Sequence, residues 1–142
     1  MLVTALLVPA GALAGSKRAD AERLLVDEVN EARRGHGQRP FRRSTPLART
    51  AAARASGLME LDVFEHGDGI GVGGGFSLVG EALAMHSGWK PRAEWTVRRW
   101  LRSPSHQAIV LGHRFRHVGA GLARGLFHGR LATVSVLHVG SR

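Results

Sequence analysis

Near its carboxyl end the chain alternates: Leu131, Thr133, Ser135 and Leu137 are interleaved with Ala132, Val134, Val136 and His138. A period of two marks a strand, because successive side chains point to opposite faces of a sheet. Val118–Ala123 reads as a second strand, and Gly125–Gly129 as the hairpin loop between them. A strand pair cannot bury its own faces, so other elements must cover it. The earlier part of the chain has the helical pattern to do this. Asp20–Arg34 places Leu25, Val29 and Ala32 on one side, with Asp20 as N-cap, Glu22 in the first turn and Gly35-His36-Gly37 as the stop. Thr45-Pro46 opens a second helix with a capping hydroxyl and an early proline, and Leu47, Ala51, Leu58 and Leu61 form its apolar face. Pro91–Leu101 is a third, with Ala93, Val97, Trp100 and Leu101 inward. Pro104 disfavours helical geometry at Ser103, so that helix should stop there. Helices first and strands late give the α+β class.

A chain of 142 residues has room for one domain and can bury a real core without covalent staples. It contains no cysteine, which excludes disulfides, thiolate metal sites, thiol catalysis and lipid attachment through cysteine. Residues 67–75 are glycine-rich and read as loop. Gly69, Gly71 and Gly74 match a dinucleotide fingerprint in spacing only, since no strand precedes them and no helix follows. The balance of 20 Lys+Arg against 11 Asp+Glu gives a formal charge of +9, and Glu94 is the last acid. A basic second half suits anionic partners, though arginine bias can also arise from base composition. Leu2–Ala14 is uncharged and apolar, ends in Ala12-Leu13-Ala14, and is too short to span a bilayer. Residues 1–14 therefore read as a signal peptide despite lacking a basic start, and residues 15–142 as the mature domain. The expected location is secreted or extracytoplasmic, without a transmembrane segment.

Five short motifs follow one another in a known order. Asn30 and Arg33 lie on the first helix before Gly37, and Phe64-Glu65-His66 follows the alanine-rich helix. Gly80-Glu81-Ala82 comes next, then Trp100 with Ser103-Pro104-Ser105-His106, and finally Phe115 with Val118-Gly119-Ala120-Gly121. In this order they resemble the bacterial branch of the CAP superfamily, which includes the cysteine-rich secretory proteins, venom antigens and plant pathogenesis-related proteins. Ala82 stands where the pattern has Asn, Ser105 where it has Gly, and Ile109-Val110-Leu111 where it has a segment beginning with Asn. Ser103 occupies the place of a second Glu found in many animal and plant members. The resemblance implies a three-layer α-β-α sandwich with His66, Glu81 and His106 lining an open cleft.

Two imidazoles and a carboxylate can hold Zn²⁺ or a similar divalent ion and keep a position open for water or ligand. They can equally work without metal, with a histidine as base and the glutamate orienting it, or form an inert hydrogen-bond network tying helix ends to the sheet. Gaps of 15 and 25 residues cannot share one helix, so only the resemblance brings the three together. It implies a binding module for an apolar or envelope ligand, of lipid or sterol type, with the basic half suiting anionic headgroups. A metal-assisted hydrolase acting on peptide or cell-wall substrates is the alternative. A basic nucleic-acid-binding protein is a third reading, but no recognition helix or aromatic stacking run supports specific nucleic-acid binding. Among the other histidines, His36 and His86 are expected in solvent, His113 and His117 beside a buried Phe115, His128 in the hairpin loop and His138 near the carboxyl end. Trp100 is expected in the core, with Trp89 and Trp95 bordering a ligand surface.

Overall fold

The structure is a computed structural model and describes residues 10–142. Its helices are α1 (Ala10–Gly35), α2 (Thr45–Glu60), α3 (Ala93–Leu101) and α4 (Pro104–Val110). Its strands are β1 (Arg42–Arg43), β2 (Leu78–Ser87), β3 (His117–Phe127) and β4 (Arg130–Ser141), which form one sheet in the order β1-β3-β4-β2. Only β1 is parallel to its neighbour; β3, β4 and β2 pair antiparallel. Helix α2 covers one face of the sheet, while α1, α3 and α4 cover the other. This is the three-layer α-β-α arrangement.

Strand parity separates two cores. Val134 and Val136 of β4 join Leu83 of β2 and Ala51, Ala55 and Leu58 of α2. Leu137 and Val139 of β4 join Leu25, Val29, Val97, Trp100 and Val118 on the opposite face. The Val118-Gly119-Ala120-Gly121 motif has a direct physical cause here. A Cβ on Gly119 would lie 2.0 Å from the Ala48 nitrogen, and one on Gly121 would lie 2.3 Å from the Ala51 carbonyl carbon. The backbone of α2 rests on the backbone of β3, and no larger residue fits between them.

Several elements differ from the sequence expectation. Helix α1 is already formed at Ala10, the first described residue, and does not open after Asp20, because the alanine- and glycine-containing run before Asp20 carries no stop signal. Asp20 pairs with Arg23 on the helix surface instead of capping an end. Of the expected signal peptide, residues 1–9 lie outside the described residues and residues 10–14 belong to α1. Ser44 rather than Thr45 caps α2, its hydroxyl accepting from the Leu47 N–H at 3.4 Å. Leu61 is 72% exposed beyond the helix, and Ala55 takes the buried position. Pro104 does end α3, yet it also begins α4, since proline suits a first helical turn. The hairpin is tighter than a five-residue loop. Phe127 pairs with Arg130, and only His128 (φ 47°) and Gly129 (φ 75°) turn the chain. Strand β2 lacks clean alternation because Ala82, Leu83 and Ala84 are all buried between two helical layers.

The Asn30 and Arg33 motif positions the rest. Asn30 pairs with both backbone groups of Phe41, accepting from its N–H at 2.7 Å and donating to its carbonyl at 3.1 Å. Arg33 is buried against the Phe41 ring and donates to the Val110 and Gly112 carbonyls at 2.8 and 3.2 Å. It thereby satisfies the carboxyl end of α4, the helix that carries His106. Burial, and secondarily Arg116, lower its pKa to about 10. Trp100 is fully buried, and its indole N–H donates to the Leu83 carbonyl at 2.9 Å on the open side of edge strand β2.

Candidate functional site

Glu81 lies on β2 directly opposite His138 of β4, and its side chain is only 10% exposed. Both residues have the parity that faces α2. His138 Nε2 donates to Glu81 Oε2 at 2.9 Å, and His66 Nδ1 donates to Glu81 Oε1 at 2.9 Å. Each carboxylate oxygen thus receives one imidazole. Arg54 of α2 adds charge from 3.5 Å without hydrogen-bond alignment, and its other end donates to the Glu65 carbonyl, tying down the loop that carries His66. Burial pushes the Glu81 carboxyl upward. The hydrogen bonds from His138 and His66, with the charges of His138 and Arg54, outweigh it and hold the group below its ordinary value. Glu81 is therefore an ionised acceptor at neutral pH.

Behind His138 the chain of contacts continues. His138 Nδ1 lies 2.8 Å from Thr50 Oγ1, which is 3.0 Å from the Leu47 carbonyl. The hydroxyl has one proton for two acceptors. When it goes to His138 Nδ1, the ring is neutral. When it goes to the Leu47 carbonyl, the ring must carry both protons and form an ion pair with Glu81. Thr50, His138, Glu81 and His66 make one continuous path from the α2 backbone to the surface.

His106 reaches the same place from α4, which packs against β2. Its ring lies 6.5 Å from that of His66, centroid to centroid. Burial, then the charges of His66 and Arg99, lower its pKa. The structure therefore brings His66, Glu81 and His106 into one neighbourhood. It also adds Thr50, Arg54 and His138, which the motif pattern does not contain.

Among the described residues, no group of three or more His, Cys, Asp or Glu is arranged to hold a metal ion. Both Glu81 oxygens are occupied by imidazoles, so a cation here would rely on His66 and His106. Two Zn–N bonds of about 2.0–2.1 Å each would span much of the 6.5 Å between the rings. Glu81 would then stand behind His66 as the carboxylate that orients a ligand.

Other expectations change. His86 is buried rather than solvated, with Nδ1 3.0 Å from the Ser87 carbonyl and its ring edge-on to Trp95 at 5.9 Å. Phe115, by contrast, is buried in the core as expected, and His117 begins β3 beside it. Trp89 is half-exposed, donating to the Gly125 carbonyl at 3.3 Å near the far ends of β2 and β3.

Residues 26–136 match the family described as "CAP: Cysteine-rich secretory protein family", which is most of the chain. The chain belongs to the CAP family. No match is found among curated protein sequences. Among solved structures, this CAP domain is similar to an outer surface protein from Borrelia burgdorferi, at 22% identity and a TM-score of 0.69, covering 87% of this chain and 93% of that one. It is similar to an extracellular protein containing a SCP domain from Bacillus anthracis, at 16% identity and a TM-score of 0.74, covering 98% of this chain but 45% of that one. Schistosoma mansoni venom allergen-like protein 4 aligns at 15% identity and a TM-score of 0.64, covering 86% of this chain and 90% of that one. At these identities the likeness establishes the CAP fold. No described helix is long and apolar enough to cross a membrane.

Proposed function

We propose that this CAP domain works outside the cytoplasm and binds an apolar or cell-envelope ligand, of lipid or sterol type, beside His66 and His106. One observation carries this reading. The His66 side chain is 59% exposed with only Nδ1 engaged, so its other ring edge is offered to solvent beside the His106 ring. A buried, fully satisfied network would leave no such edge. The outer-surface and extracellular names of two structural neighbours support the location. In binding titrations with a fluorescent fatty acid and a fluorescent sterol, the His66→Ala/His106→Ala variant should lose most of the affinity of the parent. Equal binding by the two proteins would refute the site. Export predicts a new amino terminus at or near Gly15 by mass spectrometry of secreted protein, and an intact Met1 in the cytoplasm would contradict it.

A metal-assisted hydrolase acting on peptide or cell-wall substrates is the second reading, and the Glu81–His66 contact favours it. A carboxylate on Nδ1 fixes the imidazole tautomer and leaves Nε2 free to accept a proton or bind a cation. Added Zn²⁺ should then raise the melting temperature by mass action, because an ion that binds only the folded state stabilises it. The rise should be small with two protein ligands, and His66→Ala or His106→Ala should abolish it. A rise surviving both substitutions would place the ion elsewhere.

A further inference from the structure

Trp95 and Arg99 of α3 and Arg102 at its C-cap are spaced four and three apart and so share one helical stripe, with Arg98 beside it. Together these four side chains line an open hollow of about 170 Å³. Arg99 stacks over the Trp95 ring at 5.4 Å, and the His86 ring meets Trp95 in a T-shaped contact at 5.9 Å. Arg98 is held by Glu94 at 3.0 Å. Arg99 and Arg102 have no carboxylate within ion-pair distance among the described residues. Basic residues in a last helical turn complement the helix dipole. That role needs one cation, and Arg99 and Arg102 both stand exposed beside this hollow without a carboxylate partner among the described residues.

The chemistry of the hollow narrows the anion. Guanidinium forks match the paired oxygens of phosphate, and an aromatic face beside them suits the carbon adjoining a phosphate ester. The volume is below the roughly 300–1,000 Å³ of a pocket that encloses a whole small ligand. It accommodates a head group and leaves the remainder outside.

We propose that Arg99 and Arg102, with Arg98 and the Trp95 ring, form a docking site for the phosphate group of an anionic phosphate ester, carried by a lipid headgroup or a soluble molecule. The site deepens the envelope-ligand reading by naming the head group. It needs neither His66 nor Glu81, so the two can fail separately.

The test uses the full chain with vesicles of phosphatidylcholine alone or mixed with phosphatidylglycerol, and with inorganic phosphate and glycerol phosphate as competitors. The chain should bind the phosphatidylglycerol vesicles selectively. Arg99→Ala/Arg102→Ala should weaken that binding by about tenfold or more, because charge-assisted contacts to phosphate are lost. Arg49→Ala/Arg130→Ala removes the same charge from exposed positions elsewhere and should change binding less than about threefold. Poor competition by both soluble phosphates supports a lipid source; binding of glycerol phosphate with the same dependence on Arg99 and Arg102 supports a soluble one. Equal losses in the two double variants would overturn the site in favour of diffuse attraction. Tighter binding to a single-stranded oligonucleotide than to either phosphate source would overturn it in favour of nucleic acid. Binding to none of these probes would also overturn it.

Discussion

The two oxygens of Glu81 receive the same chemical group at the same 2.9 Å distance in opposite surroundings. The His138 side chain is 3% exposed and backed by Thr50, whereas the His66 side chain is 59% exposed on a loop. Water competes for the His66 contact and screens its charge, so it contributes little to folding. No water competes for the His138 contact, and removing either partner leaves a buried polar group unpaired. One carboxylate thus joins a structural half to a half that solvent reaches and that can be rearranged with little loss of stability.

This contrast ranks the substitutions. Glu81→Ala should be the most damaging, about 3–5 kcal/mol, since it strands a buried imidazole and removes the counter-charge of Arg54. His138→Ala should cost about 2–3 kcal/mol, through the unpaired Glu81 oxygen and the space left behind. Thr50→Val, which keeps the shape but removes the hydroxyl, should cost about 1 kcal/mol. His66→Ala should cost less than about 1 kcal/mol while removing ligand or Zn²⁺ binding. Urea denaturation of the four variants gives the order. A cost for His66→Ala equal to that of His138→Ala would break the contrast.

Acid should separate two ionisable members of the site. His106 is held below its ordinary value of 6.5, so the unfolded chain binds its proton more readily. Its contribution is fully present above that pH and fades as the pH falls through the folded value. Glu81 is held below 4.5, so its contribution is present above that pH and is lost at more acid values. Urea midpoints measured against pH should decline first in the His106 window and then in the Glu81 window. His106→Ala should remove only the first decline.

The motifs that named His66, Glu81 and His106 left His138 unassigned, although part of its placement was legible. The alternation over residues 131–138 puts His138 on the same face as Val134 and Val136, and the structure shows that face against α2. What alternation cannot supply is register. Glu81 meets His138 because β2 pairs with β4 across more than fifty residues of sequence, and no local pattern encodes that pairing. The glycines of residues 118–121 were legible as a motif, but their cause needed the backbone of α2 in contact with β3. Pro104 misled because one residue type both stops a preceding helix and opens a following one. Similarly, Asp20 suited a cap equally well on a helix that had already begun.

The central claim is that Glu81 fixes one histidine for the fold and presents the other for use. Nitrogen NMR of the histidine rings at neutral pH tests it most directly, because each contact dictates which nitrogen carries the proton. His66 should be the Nδ1–H form, with an unprotonated Nε2 that responds to added Zn²⁺ or ligand. His138 should show a slowly exchanging Nε2–H that disappears in Glu81→Ala. A proton on His66 Nε2 with Nδ1 bare, or a fast-exchanging His138 ring unaffected by Glu81→Ala, would contradict the account.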